Sequence, residues 1–129
     1  MRGLFVLVVE DDPDCAAVLS EALSLDGYEV AVVATASEAM RVVARRRPDV
    51  AIVDGHLGGD AGLDLVRVLR RGSLGDAPVL LATGMGLDEV GDEARAAGVD
   101  RVLVKPIELG VLLAAVAGLG RACRQAELA

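Results

Sequence analysis

Residues 4–13 read LFVLVVEDDP, six apolar side chains followed by three acidic residues and a proline. An apolar run without polar alternation is typical of a strand that is covered on both faces, as in a parallel sheet. Asp12 followed by Pro13 is typical of a helix start, because aspartate caps unpaired N–H groups and proline fits the first helical position. The stretch therefore predicts a buried strand that leads directly into a helix.

The same arrangement repeats along the chain. Four further apolar runs occupy residues 30–34, 50–53, 79–82 and 102–104. Apolar residues at helical spacing lie between and after the runs, within residues 15–23, 36–44, 65–69, 87–97 and about 108–124. Thr35 with Glu38 predicts a capping box, and Gly27, Gly72 and Gly98 lie where helices should end. We predict an α/β fold of the (βα)5 type, a doubly wound five-stranded parallel sheet between two layers of helices.

Composition excludes several functions. The chain has 129 residues, 53% of them hydrophobic, and a net charge of −7. This length suits one domain, so we expect a single domain over residues 1–129 and no output domain. The acidic balance disfavours direct contact with nucleic acid, and no apolar run approaches the ~18 residues of a membrane span. We expect a cytoplasmic protein whose Cys15 and Cys123 are reduced and bind no metal.

Chemically active side chains follow the predicted strands. Glu10 and Asp11 follow the first strand, Asp54 the third, Thr83 the fourth and Lys105, the only lysine, the fifth. The carboxyl ends of parallel strands share one edge of the sheet, so these groups should converge. Clustered carboxylates suit Mg²⁺, and a hydroxyl and an ammonium group opposite the metal suit the oxygens of a phosphoryl group.

Four motifs occur in order and resemble the receiver domain of two-component response regulators, including chemotaxis-type single-domain receivers. They are Val8-Val9-Glu10-Asp11-Asp12-Pro13, Val53-Asp54, Ala82-Thr83-Gly84 and Val104-Lys105-Pro106. The resemblance covers residues 4–120 and implies the flavodoxin-like receiver fold with strand order 2-1-3-4-5. It also implies that Asp54 is the phosphoacceptor.

The resemblance assigns roles to the other strand-end residues. Glu10 and Asp11 would form the acidic pair of the Mg²⁺ site, with Asp11, Asp54 and the backbone carbonyl of His56 as direct ligands. Thr83 would bond a phosphoryl oxygen, and Lys105 would pair with the phosphoryl group. The peptide between Lys105 and Pro106 would be cis.

The implied function is phosphoryl acceptance on Asp54, with Mg²⁺, from the phosphohistidine of a sensor kinase or a histidine phosphotransfer protein. The protein would be no enzyme beyond its own phosphorylation and dephosphorylation. It would signal through contact with a downstream protein or through a phosphorelay, without a membrane. A homodimer through the fourth helix, fifth strand and fifth helix stays open, because the fifth helix is apolar enough to serve either the core or an interface.

Two positions depart from the family pattern and keep alternatives open. Gly58 stands where a proline is usual, and Val102 stands where an aromatic switch residue is usual. A docking module without phosphoryl chemistry is therefore one alternative. A flavodoxin-like cofactor protein is disfavoured by the acidic loop after the first strand. An aspartyl phosphatase is disfavoured because His56, not a second aspartate, lies two residues after Asp54.

The run of arginines at residues 45–47 is either a solvated helix end or a binding patch.

Overall fold

Five parallel strands and five helices alternate along the chain in the computed structural model, which describes residues 3–57 and 60–128. The strands are β1 (Phe5–Val9), β2 (Glu29–Val33), β3 (Val50–Asp54), β4 (Val79–Thr83) and β5 (Arg101–Val104). The helices are α1 (Pro13–Leu25), α2 (Ala36–Arg45), α3 (Gly62–Arg71), α4 (Leu87–Ala97) and α5 (Leu109–Leu128). This order confirms the predicted (βα)5 arrangement.

The strands lie in the order β2-β1-β3-β4-β5, and all neighbours are parallel. The order 2-1-3-4-5 implied by the resemblance is thereby confirmed. The register pairs Val9 with Val53, Asp54 with Ala82, and Thr83 with Val104. The carboxyl ends of β1, β3, β4 and β5 therefore lie side by side at one edge of the sheet, where the residues that follow them can come into contact.

Side chains from the two faces of the sheet enter two separate apolar clusters. Leu7, Val53 and Leu81 pack with α2, α3 and α4. Val8 and Ile52 pack on the opposite face with α1 and α5. Every residue of β1, β3 and β4 is buried, which explains why these runs are continuously apolar rather than alternating.

Local contacts confirm the predicted helix boundaries. The side chain of Asp12 accepts a hydrogen bond from the N–H of Asp14, and Thr35 accepts one from the N–H of Glu38. α2 ends at Arg45, so the next two arginines lie beyond the helix, where Arg46 pairs with Glu29 and Arg47 pairs with Asp76.

One local element was not predicted. Residues 56–57 and 60–61 form a two-residue antiparallel pair between β3 and α3. Two residues carry too little periodicity to be recognised in a sequence. Gly58, where the resemblance departs from the usual proline, lies outside the described residues.

Candidate functional site

The strand-end residues are brought together at the carboxyl edge of the sheet. Glu10 directly follows β1, Asp54 and Thr83 end β3 and β4, and Lys105 directly follows β5. The backbone N–H of Lys105 donates to the carbonyl of Thr83 at 2.7 Å, so the strand pairing continues to the site. Glu10, Asp54 and Thr83 are the buried polar residues among those described, with exposed fractions of 5%, 8% and 5%. Such burial requires partners for their polar groups.

Three carboxylates form one cluster. Glu10, Asp11 and Asp54 each offer an oxygen, and these atoms lie within 4.8 Å of one another. Oε2 of Glu10 is buried and accepts no hydrogen bond from the described part of the chain. A buried carboxylate oxygen without a partner destabilises the fold unless a cation or a hydrogen-bond donor binds to it. The residues present therefore fit a divalent cation with oxygen ligands.

Lys105 lies against this cluster. Its Nζ is 3.1 Å from Oδ1 of Asp54 and 3.8 Å from Oε1 of Glu10. Burial alone would lower the pKa of Lys105, but its hydrogen bond and charge interaction with Asp54 raise it above the ordinary value. The ammonium group is therefore charged at neutral pH and partly neutralises the carboxylates.

The two buried carboxyl groups titrate differently. Burial and then the neighbouring Asp54 raise the pKa of Glu10 to about 7. Burial opposes ionisation of Asp54 as well, but hydrogen bonds from Glu10, Lys105 and the N–H of His56 outweigh it and lower the pKa of Asp54. Asp54 therefore ionises at a lower pH than Glu10.

The pKa of Glu10 predicts that the metal-free protein loses stability as the pH rises. The pKa is 4.5 ordinarily and about 7 in the fold, so between these values the native state binds more protons than the unfolded chain. The free energy of unfolding should therefore fall as the pH rises across this window. Urea denaturation in EDTA at a series of pH values measures this slope.

Matched variants isolate the contribution of Glu10. Glu10→Gln should flatten the slope, whereas Glu21→Gln, at an exposed position of α1, should preserve it. Asp54 contributes in the opposite sense, but only as the pH falls below its ordinary 3.8, outside this window. A free energy of unfolding that increases across the window would contradict the prediction.

Thr83 and His56 lie beside Asp54. Oγ1 of Thr83 accepts the N–H of Met85 at 3.0 Å. The backbone N–H of His56 donates to Oδ1 of Asp54 at 3.2 Å, and the side chain of His56 is exposed. The imidazole thus takes no part in the described cluster. The peptide between Lys105 and Pro106 is cis, as the resemblance implies.

Gly62 is a positioning residue that the sequence analysis did not single out. A Cβ at this first residue of α3 would lie 2.1 Å from the backbone carbonyl oxygen of Asp54. The N–H of Gly62 donates to the carbonyl of Gly55 at 3.1 Å. A glycine at the first position of an amphipathic helix was the available signal, since glycine permits close approach of two backbones.

Gly62→Ala should displace the backbone of Asp54. We expect a loss of roughly 1–3 kcal/mol in the free energy of unfolding, as for other overpacking substitutions, measured by urea denaturation. Gly91→Ala is the control, because a Cβ at this α4 position would meet no heavy atom within 4 Å in the described residues. Equal stability of Gly62→Ala and the wild type would contradict this assignment.

A groove of about 560 Å³ adjoins the carboxylate cluster between α1 and the start of α5. Val18 and Leu109 form exposed parts of its wall, while Val8, Ile52 and Leu112 lie at its buried base. Cys15 also lines the groove. Burial and the neighbouring Glu10 raise the pKa of the Cys15 thiol to about 11, so it is neutral and belongs to no metal cluster among the described residues.

Comparison with known proteins identifies the class. A family model described as a response regulator receiver domain matches residues 6–117. The chain therefore belongs to the response regulator receiver domain family. The transcriptional regulatory protein PrrA of Mycobacterium tuberculosis is 36% identical over 116 residues, which cover 90% of this chain and 49% of PrrA. PhoB of Pseudomonas aeruginosa, a phosphate regulon transcriptional regulatory protein, is 30% identical over 115 residues, covering 88% and 50%.

Solved structures agree on the fold. The chemotaxis protein CheY4 of Vibrio cholerae has a TM-score of 0.84 and 29% identity, covering 90% of this chain and 98% of that chain. A CheY-like receiver domain protein of Methanospirillum hungatei has a TM-score of 0.88 and 23% identity, covering 95% and 97%. The chain spans about half the length of the curated relatives it matches. No helix in residues 3–57 and 60–128 is both long and apolar enough to cross a membrane.

Proposed function

We propose that this chain accepts a phosphoryl group on Asp54 from the phosphohistidine of a sensor kinase or a histidine phosphotransfer protein, in a Mg²⁺-dependent reaction. The observation that carries the proposal is the position of Asp54. This largely buried carboxylate lies within the Glu10 and Asp11 cluster and 3.1 Å from the ammonium of Lys105. Negative and positive groups on two sides of one nucleophile suit phosphoryl transfer.

The transfer balances as a substitution at phosphorus. A carboxylate oxygen of Asp54 forms the new P–O bond, the P–N bond of the phosphohistidine breaks, and the imidazole leaves with the bonding electrons and takes up a proton. Lys105 and the hydroxyl of Thr83 would bond oxygens of the transferred group. Glu10, Asp11, Asp54 and the carbonyl of His56 would hold Mg²⁺, which when bound offsets the charge of the carboxylates and the phosphoryl oxygens.

The acyl phosphate would alter the surface formed by α4, β5 and α5. It adds roughly −1.5 to −2 charge beside Thr83, which would be drawn towards it. The altered surface would then contact a downstream protein, a second copy of the chain, or a further member of a phosphorelay.

Phosphorylation by a small-molecule donor tests the proposal. The protein is incubated with acetyl phosphate and Mg²⁺, and intact mass spectrometry is expected to show one phosphoryl adduct. EDTA should prevent adduct formation. An unchanged mass in the presence of Mg²⁺ would overturn the proposal.

The second candidate is a docking module without phosphoryl chemistry. The observation that favours it is Val102, a half-buried residue of β5 that packs against the cluster around α2, α3 and α4. A valine cannot make the inward turn of an aromatic switch residue. Calorimetric titration with MgCl₂ separates the candidates, because a docking module has no need to bind the ion at millimolar concentration.

A further inference from the structure

The C-terminal end of α4 is fastened by one arginine of α3. Gly98 directly follows α4 with a φ of 98°, and its carbonyl accepts hydrogen bonds from both Nε and Nη2 of Arg70, at 3.1 and 2.6 Å. A Cβ at position 98 would lie 2.8 Å from Nε of Arg70. Position 98 therefore requires glycine both for its left-handed backbone and for the approach of the guanidinium.

The same guanidinium reaches two other segments. Nη1 of Arg70 donates to the carbonyls of Gly75, at 2.8 Å, and Ala77, in the connection between α3 and β4. Nη2 also donates to Asp100 at 2.9 Å, and Asp100 accepts the N–H of Val79 at 2.8 Å. The side chain of Arg70 is only 16% exposed. Arg70, itself largely buried, thus ties the end of α4 to α3 and to the beginning of β4.

Among the described residues, the N-terminal end of α4 has fewer side-chain hydrogen bonds than its C-terminal end. Gly86 is its N-cap and provides no side-chain hydrogen bond. A Cβ at Gly84 would meet no heavy atom of the described residues within 4 Å, and Met85 is 48% exposed. In the described residues, this segment is joined to the site by the hydrogen bond from the N–H of Met85 to Oγ1 of Thr83. A movement of Thr83 would therefore pull the segment that leads into α4.

We propose that Arg70 is the fixed anchor about which α4 swings when Asp54 is phosphorylated. This inference rests on the proposed function, because the movement begins with Thr83. The bond between Thr83 and Met85 transmits the displacement to the N-terminal end of α4, and the Arg70 network holds the C-terminal end in place. The arrangement supplies a route from the site to the surface that does not need an aromatic residue at position 102.

Hydrogen–deuterium exchange with mass spectrometry tests the anchor without phosphorylation. In the metal-free protein, Arg70→Met should raise amide exchange over residues 98–100 by roughly tenfold and leave residues 85–90 near the wild-type rate. Arg71→Met, at the neighbouring exposed position, is the matched control and should change neither segment. Unchanged exchange over residues 98–100 in Arg70→Met would overturn the proposal.

Addition of Mg²⁺ and beryllofluoride, a phosphoryl mimic, tests the swing. In the wild type, exchange should change over residues 84–90 and stay constant over 98–100. In Arg70→Met the change should extend to residues 98–100. A wild-type response of equal size at both ends of α4 would overturn the anchor, and so would a response confined to residues 84–90 in the variant.

Two further measurements distinguish failure of the anchor or the swing from a general disturbance of the fold and from failure of the proposed function. Arg70→Lys preserves the charge but not the planar fork, so it should show the same spread in a protein less disturbed than Arg70→Met. The phosphoryl adduct on Asp54 is measured separately by intact mass. An adduct without any exchange response in the wild type overturns the swing alone, whereas the absence of an adduct overturns the proposed function and the swing together.

Discussion

Asp54→Asn is expected to abolish the phosphoryl adduct formed with acetyl phosphate and Mg²⁺. An amide oxygen carries no full negative charge, so it is a far weaker nucleophile than the carboxylate that Lys105 and His56 hold in place. The substitution preserves the shape of the side chain and removes one ligand from the carboxylate cluster. Intact mass spectrometry after equal incubation times gives the result directly.

Asp64→Asn is the matched control for this variant. Asp64 is an exposed carboxylate in the first turn of α3 that pairs with Arg67. Asp64 is not expected to accept a phosphoryl group. The Asp64→Asn variant should therefore form the same single adduct as the wild type. An adduct on Asp54→Asn would assign the acceptor role to another residue.

The same variant tests the electrostatics of the site. Asp54 is a lesser cause than burial of the raised pKa of Glu10. Loss of its charge should therefore lower the pKa of Glu10 only in part. The fall in unfolding free energy between pH 4.5 and about 7 should become smaller in Asp54→Asn without disappearing.

The fold was predictable because its main signals are local. Each buried strand is a continuous apolar run, and each helix between them shows apolar residues at helical spacing, as in residues 15–23 and 36–44. The caps at Asp12 and Thr35 depend on contacts within three residues. The strand order does not follow from such local signals, and the resemblance was needed to supply it.

The site was predictable only to the level of its neighbourhood. The parallel direction of the strands places Glu10, Asp54 and Lys105 at one edge, whatever their side chains do there. The distances among them depend on register and side-chain conformation, so the raised pKa of Glu10 could not be derived. Gly62 was missed for a related reason, since its close approach to the carbonyl of Asp54 is a tertiary contact.

The hydrogen-bond network around Arg70 could not be predicted from the sequence either. Its hydrogen-bond partners lie 5 to 30 residues away, and most of them are backbone carbonyls, which leave no trace in residue type. In the sequence, Arg70 is one of two arginines at the end of a helix, where a basic residue is expected for the helix dipole alone. Burial distinguishes it from the exposed Arg71.

Lys105→Met should slow phosphorylation of Asp54 by acetyl phosphate about 10²–10³-fold, the usual loss when one preorganised group that stabilises developing charge is removed. Methionine keeps most of the apolar length of lysine but cannot pair with Asp54 or with the transferred phosphoryl group. Lys105 also offsets the charge of Glu10, so its loss should raise the pKa of Glu10 further. The rate of adduct formation at saturating Mg²⁺ measures the first effect.

Arg101→Met is the control that separates the local contact of Lys105 with Asp54 from the change in the net charge of the protein. Arg101 is exposed at the start of β5, at the opposite end of the strand from Lys105. Both variants lose one positive charge, so a general increase in repulsion between the acidic protein and the acidic donor would slow both equally. If Lys105 acts through its 3.1 Å contact with Asp54, only Lys105→Met is slow. Equal rates for the two variants would mean that the ammonium group contributes through net charge alone and has no direct role at the acceptor.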